Sequence, residues 1–354
     1  MTGDRGAGRA GAVRELAEWA LPDDPAADWA GSPAGLWTAL AAVAAGARGR
    51  TAEELRGLLG TAGEEAGPAV AGMDALLART GGVACGTSVR SRVPVYAAYR
   101  DALPGIGFGG LGPGTAAELD AWVAGATGGR IARLPAALDG GADLVLVGVV
   151  ALAARWREAF ARSATRPAPF TDGRGTVTGV PTMHRGLPAD RAWRVGGGTV
   201  VELPCAGERA PLVRFVLGPE GAGPAAVVPL AWAEGGREPV RAGAVELALP
   251  RFTLRGRTDV LSLLASLGVT APLRPGADFS GLSPEPLHVT EALQEAVLEV
   301  AEEGVEAAAV TQVVMTRSAA RPAPVERIAF DRPFGVVVLD AEGRLPLFTG
   351  WRAG

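Results

Sequence analysis

Lysine is absent from this chain: all 34 of its basic residues are arginine. A P-loop needs the lysine that reaches the nucleotide phosphates, so that site is excluded. Histidine is nearly absent too, with His184 and His288 alone. A Ser-His-Asp or Cys-His centre would have to use one of them, yet neither stands near a nucleophile elbow and no G-x-S-x-G occurs. Both read as structural or surface residues. The two cysteines, Cys85 and Cys205, supply no disulfide framework and read as small unpaired hydrophobes. Two His and two distant Cys do not make a tetrahedral zinc set. Asp278, Glu285 and Glu291 are scattered acids without a pairing pattern. No metal, no cofactor and no enzymatic activity are expected.

Long apolar runs are missing as well. Residues 1–30 hold no apolar h-region, and no stretch reaches the roughly 20 residues of a membrane span. A cytoplasmic protein without membrane contact is expected, with export left open. Nor does charge of one sign accumulate. The net charge is −4 and the arginines are dispersed, so nucleic acid is not an expected partner.

What is present is ample for a large core: 354 residues, 48% hydrophobic. The 51 Gly, 27 Pro and all-arginine basic set have the look of a high-G+C genome. No interdomain linker and no internal repeat interrupts the chain. A disordered Gly/Arg leader over 1–11 and one domain over 12–354 are expected. Val13–Leu21 reads as a short amphipathic helix stopped by Pro22. In 32–60, Ser32 and Thr51 suit helix N-caps, and Glu54 stands where a capping box would place it. Residues 117–134 read as a helix ended by Gly128 and Gly129. Asp143–Ala154 is an apolar run fit for a strand buried on both faces. GIGFGG at 105–110 matches a dinucleotide-binding pattern letter for letter. Pro104 and Pro113 flank it and no clean strand leads in, so it reads as chance in a glycine-rich chain.

The stretch Val297–Arg321 is unlike the rest. Three alanines, Ala307, Ala308 and Ala309, favour helix, whereas Val310, Thr311, Val313, Val314 and Thr316 favour strand. On spacing alone it is either an amphipathic helix followed by a linker or a strand. As a strand, Val305, Ala307, Ala309, Thr311, Val313 and Met315 share one parity that carries neither charge nor amide and could be buried whole.

EEGVEAAAVT, 302–311, resembles the hinge of the reactive-centre loop of serpins, and FDRPFGVVVLDAEGRLPLFTG, 330–350, resembles the hairpin that follows it. The SP…AL…GARGRT pattern of 32–60, the AWVAGATGG segment, the 143–154 run with Trp156 and Phe160, VELPCAG at 201–207 and the block 245–283 continue the likeness in order. The chain is similar to that family over about 32–350. The resemblance implies a bacterial serpin of actinobacterial type with an α+β fold. A large mixed central β-sheet, two smaller sheets and about eight or nine helices should present an exposed loop over about 303–326. It implies a monomeric suicide-substrate inhibitor of an elastase-, subtilisin- or trypsin-like serine protease. The alternative is a non-inhibitory, binding or chaperone-like member, in which bulky or charged residues typically replace the hinge alanines.

Residue by residue, the resemblance assigns the hinge to Glu302, Glu303, Gly304, Val305, Glu306, Ala307, Ala308 and Ala309. Counting seventeen residues from Glu302 puts the reactive bond at Ser318–Ala319, with Arg317–Ser318 as the alternative. Support for the sheet's gate falls to Arg251, expected to pair with Glu302, and to Trp156, Ser32 and Gln294. Four positions depart from the family pattern: Val305 replaces a Thr, Gln294 a His, Gly35 a Ser and Gly148 an Asn.

Overall fold

The computed structural model describes residues 2–134, 141–304 and 324–354. Among them are eight α-helices: α1 (Thr2–Trp19), α2 (Pro33–Gly46), α3 (Gly49–Leu59), α4 (Ala66–Arg79), α5 (Ala97–Asp101), α6 (Thr115–Ala126), α7 (Pro224–Val227) and α8 (Val260–Ser266). The strands, numbered in chain order, form three sheets, and the α+β architecture is the expected one. β12 (Phe252–Asp259), β13 (Val289–Val300), β4 (Leu144–Leu152), β2 (Val83–Ser91) and β3 (Ile106–Gly110) form the central five-stranded sheet, in that spatial order. β14 (Val325–Ala329), β11 (Ala244–Pro250), β6 (Val177–Pro188) and β5 (Arg166–Thr171) form a four-stranded one. The third has seven strands: β1 (Trp29–Gly31), β16 (Pro346–Arg352), β15 (Phe334–Leu339), β9 (Leu212–Leu217), β8 (Gly198–Pro204), β7 (Ala192–Val195) and β10 (Glu238–Pro239).

Every residue of β4 is buried, as its unbroken apolar run requires, because both sheet faces are covered. Its even-numbered side chains, Leu144, Leu146, Val150 and Leu152, join the main core with those of α2. The odd ones, Val145, Val147 and Val149, pack with Leu119 and Val123 of α6 and with Leu293 and Val297 of β13. Helix α2, apolar all round, is buried along its whole length. Ser32 caps it as expected, its Oγ accepting from Gly35 N at 3.1 Å.

Two local expectations are corrected. Residues 2–11 are not a disordered leader but part of α1. Val13, Leu16 and Ala17 are fully buried, and a docked turn propagates helix outward at little cost even through glycine; Arg9 Nη1 donates to Ala69 O at 3.3 Å. Thr51 and Glu54 form no capping box, because α3 begins earlier, after Arg48. Thr51 Oγ1 instead accepts from Asp278 N at 2.9 Å, and Glu54 Oε2 takes Thr270 N and Ala271 N at 2.8 and 2.7 Å. Both side chains are drawn to amides some 220 residues away in sequence. GIGFGG lies largely in edge strand β3. A Cβ on Gly109 would fall 1.9 Å from Arg90 Nη1, so that glycine makes room for a side chain rather than a phosphate.

Candidate functional site

β13 and β4 are parallel neighbours in the middle of the central sheet, with Gln294 opposite Gly148 and Leu298 opposite Leu152. Both run toward the same end, and there the chain turns at Ala301–Gly304. Ala301 N donates to Gly304 O at 2.8 Å and Gly304 N to Ala301 O at 3.3 Å. Gly304 also bridges Arg155, just past the end of β4, in the antiparallel sense. Only glycine fits: φ is +151°, and a Cβ would lie 2.3 Å from Ala154 O.

The turn is held by its own carbonyls. Trp156 Nε1 donates to Ala301 O at 2.9 Å, Phe160 N to Glu302 O at 2.7 Å and Trp156 N to Glu303 O at 3.1 Å. The Trp156 ring, 4% exposed, meets Phe215 edge to face at 6.2 Å. Glu302 and Glu303 are themselves buried. Thr165 Oγ1 donates to Glu302 Oε1 at 2.9 Å. Arg162 Nη2 and Nε reach Glu303 Oε1 at 2.6 and 3.2 Å. Glu303 Oε2 is buried with no hydrogen-bond partner among the described residues. The expected Arg251–Glu302 pair closes only to 3.9 Å, with Arg251 half exposed. Thr165 and Arg162, not Arg251, are therefore the close partners of the two acids. They lie 137 and 141 residues from those acids in sequence, and nothing in local spacing points to them.

Six residues lower on β13, Gln294 and Ser32 meet directly. Ser32 N donates to Gln294 Oε1 at 2.8 Å and Gln294 Nε2 to Ser32 O at 2.9 Å, while Ser32 Oγ donates to Leu347 O at 2.6 Å. The amide of Gln294 thus joins the central sheet to the start of α2, and Ser32 ties both to β16. A Cβ on Gly35 would meet Val150 Cγ2 at 2.8 Å, so the small residue keeps α2 close beneath the seam. Gly148 has ordinary room, its Cβ position lying 3.8 Å from Gln294 Nε2. Val305, Glu306, Ala307, Ala308, Ala309, Arg317, Ser318 and Ala319 lie outside the described residues.

The remaining reactive side chains are accounted for structurally. His184 Nδ1 is 3.0 Å from Thr182 O and 3.2 Å from Ala164 O, inside β6. Burial pushes the Cys205 thiol up to about 12, and burial and the nearby Asp74 push Cys85 up to about 11, so neither is a thiolate at neutral pH. Among the described residues, no three His, Cys, Asp or Glu gather as a metal site.

A family model described as serpin (serine protease inhibitor) matches residues 97–352. An alpha-1-antitrypsin-like protein of Tamias sibiricus is 30% identical over 240 residues, 66% of this chain. That match spans 56% of the relative, little more than half its length. The thermophilic serpin tengpin, in its native state, shares the fold with a TM-score of 0.84 at 20% identity, covering 99% of this chain and 94% of that one. Human thyroxine-binding globulin complexed with its ligand gives 0.79 at 22% identity, covering 98% of this chain and 96% of the other.

Proposed function

The chain belongs to the serpin family, and we propose that it is a suicide-substrate inhibitor of serine proteases. The protease's serine oxygen bonds to the carbonyl carbon of the reactive bond and the amide breaks. Its nitrogen leaves, protonated, as a new N-terminus, and an acyl ester joins the two proteins. The freed strand enters the central sheet before water can hydrolyse the ester.

The observation that carries this reading is the double bridge of Gly304. One bridge pairs it with Ala301 beyond β13, the other with Arg155 beyond β4, both antiparallel. Antiparallel partners move in opposite directions along their chains. A strand continuing from Gly304 would therefore reach Thr311 when its neighbours have receded to Gln294 and to Gly148. Those two are already paired in the parallel β4–β13 register, so the two bridges agree on one register. In it Val305, Ala307, Ala309, Thr311, Val313 and Met315 would face the α2 core beside Leu298 and Ala296, and Glu306 and Gln312 the other side. One parallel ladder would give way to two antiparallel ladders, whose pairing is somewhat stronger per residue. Each added backbone bond contributes roughly 0.5–1.5 kcal/mol, so the uninserted chain is read as metastable and held by a barrier.

The reactive bond is read as Ser318–Ala319, which suits an elastase- or subtilisin-like pocket, with Arg317–Ser318 as the trypsin-like alternative. No cofactor takes part, and the inhibitor is read as monomeric before reaction. The all-arginine basic set supports a high-G+C bacterial source of actinobacterial type. The binding-protein alternative has in its favour the likeness to thyroxine-binding globulin, which at 22% identity speaks to fold alone. Small side chains at 307–309 can pass between strands and favour the inhibitory reading.

Mixing the chain with elastase-, subtilisin- and trypsin-like proteases should give an SDS-stable complex with at least one. The peptide released should begin at Ala319, or at Ser318 for the alternative bond. Ala309→Arg puts a charge on the parity to be buried, at a cost of several kcal/mol, and should turn inhibitor into substrate. Undiminished complex formation by A309R, or none by the native chain, would refute the reading.

A further inference from the structure

The lower ends of β4 and β13 are tied by a cluster with no part in the turn at Gly304. There the parallel ladder is irregular: Glu291 pairs with Val145 and Val289 with Leu144, leaving Thr290 as the extra residue of a bulge. The Thr290 hydroxyl fills the gap with two bonds across the seam. It accepts from Asp143 N at 3.0 Å and donates to Leu144 O at 3.2 Å. The Asp143 carboxylate works in both directions. One oxygen receives Arg92 Nε and Nη2 at 2.9 and 2.7 Å, and the other lies 3.1 Å from His288 Nδ1. Arg92 follows β2, Asp143 precedes β4 and His288 precedes β13. A single aspartate thereby joins three strands where the central sheet begins.

We propose that Thr290 and His288, through Asp143, are positioning residues that set how completely a strand enters the β4–β13 seam, an inference that rests on the insertion reading above. An added strand moves β4 and β13 from one ladder spacing to two, from about 4.8 Å to about 9.6 Å. No contact of 3.0–3.2 Å between them survives that. Entry confined to the upper seam, near Leu152 and Leu298, leaves the clamp closed; approach to Val145 and Glu291 opens it. Arg92 stays with Asp143, since β2 and β4 keep their own ladder, and so holds the carboxylate ready for reclosure. A closed clamp resists spontaneous insertion in the uncleaved chain. After cleavage the same bonds delay the last step while the acyl ester is open to water, so they set the ratio of trapped to released protease.

Thr290→Val keeps the shape and β-branching but removes the hydroxyl, and the intact full-length protein can be followed by hydrogen exchange without any protease. Amides of 144–147 and 289–293 should exchange about tenfold faster, the effect of losing about one net hydrogen bond. Those of 150–152 and 297–300 should not change, and Thr290→Ser should restore the native rates. His288→Gln, should T290V fold poorly, is expected to act in the same direction by about threefold. Equal acceleration along both strands, no acceleration, or no rescue by T290S would overturn the clamp. Against a protease, T290V should consume fewer inhibitor molecules per protease trapped. An unchanged number, with exchange altered as expected, overturns the clamp's control of insertion. A native chain that traps no protease overturns the inhibition reading instead, and exchange alone then judges the clamp.

Discussion

The seven-stranded and five-stranded sheets are built to opposite rules. In the seven-stranded sheet every neighbouring pair is antiparallel. Its inner side meets a cluster of rings in which Phe334 touches Phe330, Phe252, Phe215 and Phe170 at centroid distances of 5.1 to 6.5 Å. Across its strands Arg214 Nη2 meets Glu202 Oε2 at 2.9 Å. The central sheet has a parallel seam between β4 and β13 instead. Buried carboxylate oxygens of Glu303, at the end of the seam, and of Glu295, on β13, have no hydrogen-bond partner among the described residues, nor has that of Asp74, on α4 beside Gly105. Burial raises the carboxyl of Glu295 above its ordinary value, and it raises that of Asp74 to about 6. The seven-stranded sheet also holds buried groups without a partner among the described residues, Trp193 Nε1, Thr349 Oγ1 and Arg352 Nε. What sets the central sheet apart is its parallel seam, which on the insertion reading a new strand would replace by two antiparallel ladders.

The contrast can be broken most forcefully at the rings. Phe334→Ala should cost about 3–5 kcal/mol, read as a fall in the urea midpoint, while leaving any protease trapping by the surviving fold intact. Gln294→Ala acts at the seam. It strands Ser32 N and O and should lower stability by about 1–3 kcal/mol, and it should also speed exchange of amides in the middle of β13. Arg162→Ala leaves the Glu303 carboxylate buried alone, and about 1–2 kcal/mol is expected given the exposure of Arg162. Arg251→Ala, at 3.9 Å from Glu302, should stay within about 0.5 kcal/mol. A larger effect from Arg251 than from Arg162 would reverse the assignment at the turn.

Asp74→Asn tests a buried carboxyl through pH, on α4, which packs on β2 rather than on the seam. The carboxyl of Asp74 is raised by burial from 3.8 to about 6, so the folded chain holds that proton more tightly than the unfolded one. Ionising it destabilises the fold: the penalty is absent below about pH 4 and complete well above about pH 6. The variant should therefore be more stable than the native chain at about pH 8, by about 1–2 kcal/mol after allowing for partial exposure, and equal to it near pH 4. Thermal midpoints of the two proteins across that range check the sign.

Much of the central sheet was legible in the residues. The Asp143–Ala154 run was fit for a strand covered on both faces, and Ser32 before Pro33 had the form of a helix cap. The acids at 302 and 303 were visible too, but not their partners. Thr165 and Arg162 come to them through the path of the chain after β4, which no local periodicity encodes. Glu54 and Thr51 show the same limit from the other side, since a locally correct capping pattern lost to amides brought in from 270–278. Helix α1 extended over a glycine-rich start because docking of Val13, Leu16 and Ala17 outweighed propensity. The bulge at Thr290 left no mark at all, a threonine within an ordinary strand pattern.

The seam's capacity to take a strand is tested most directly by cutting the chain once within 315–322 and comparing thermal unfolding of the cut and intact proteins. Insertion adds two ladders and buries one apolar parity, so the cut protein should unfold higher by roughly 20 °C. An unchanged or lower midpoint, with the cut confirmed by mass, would contradict it.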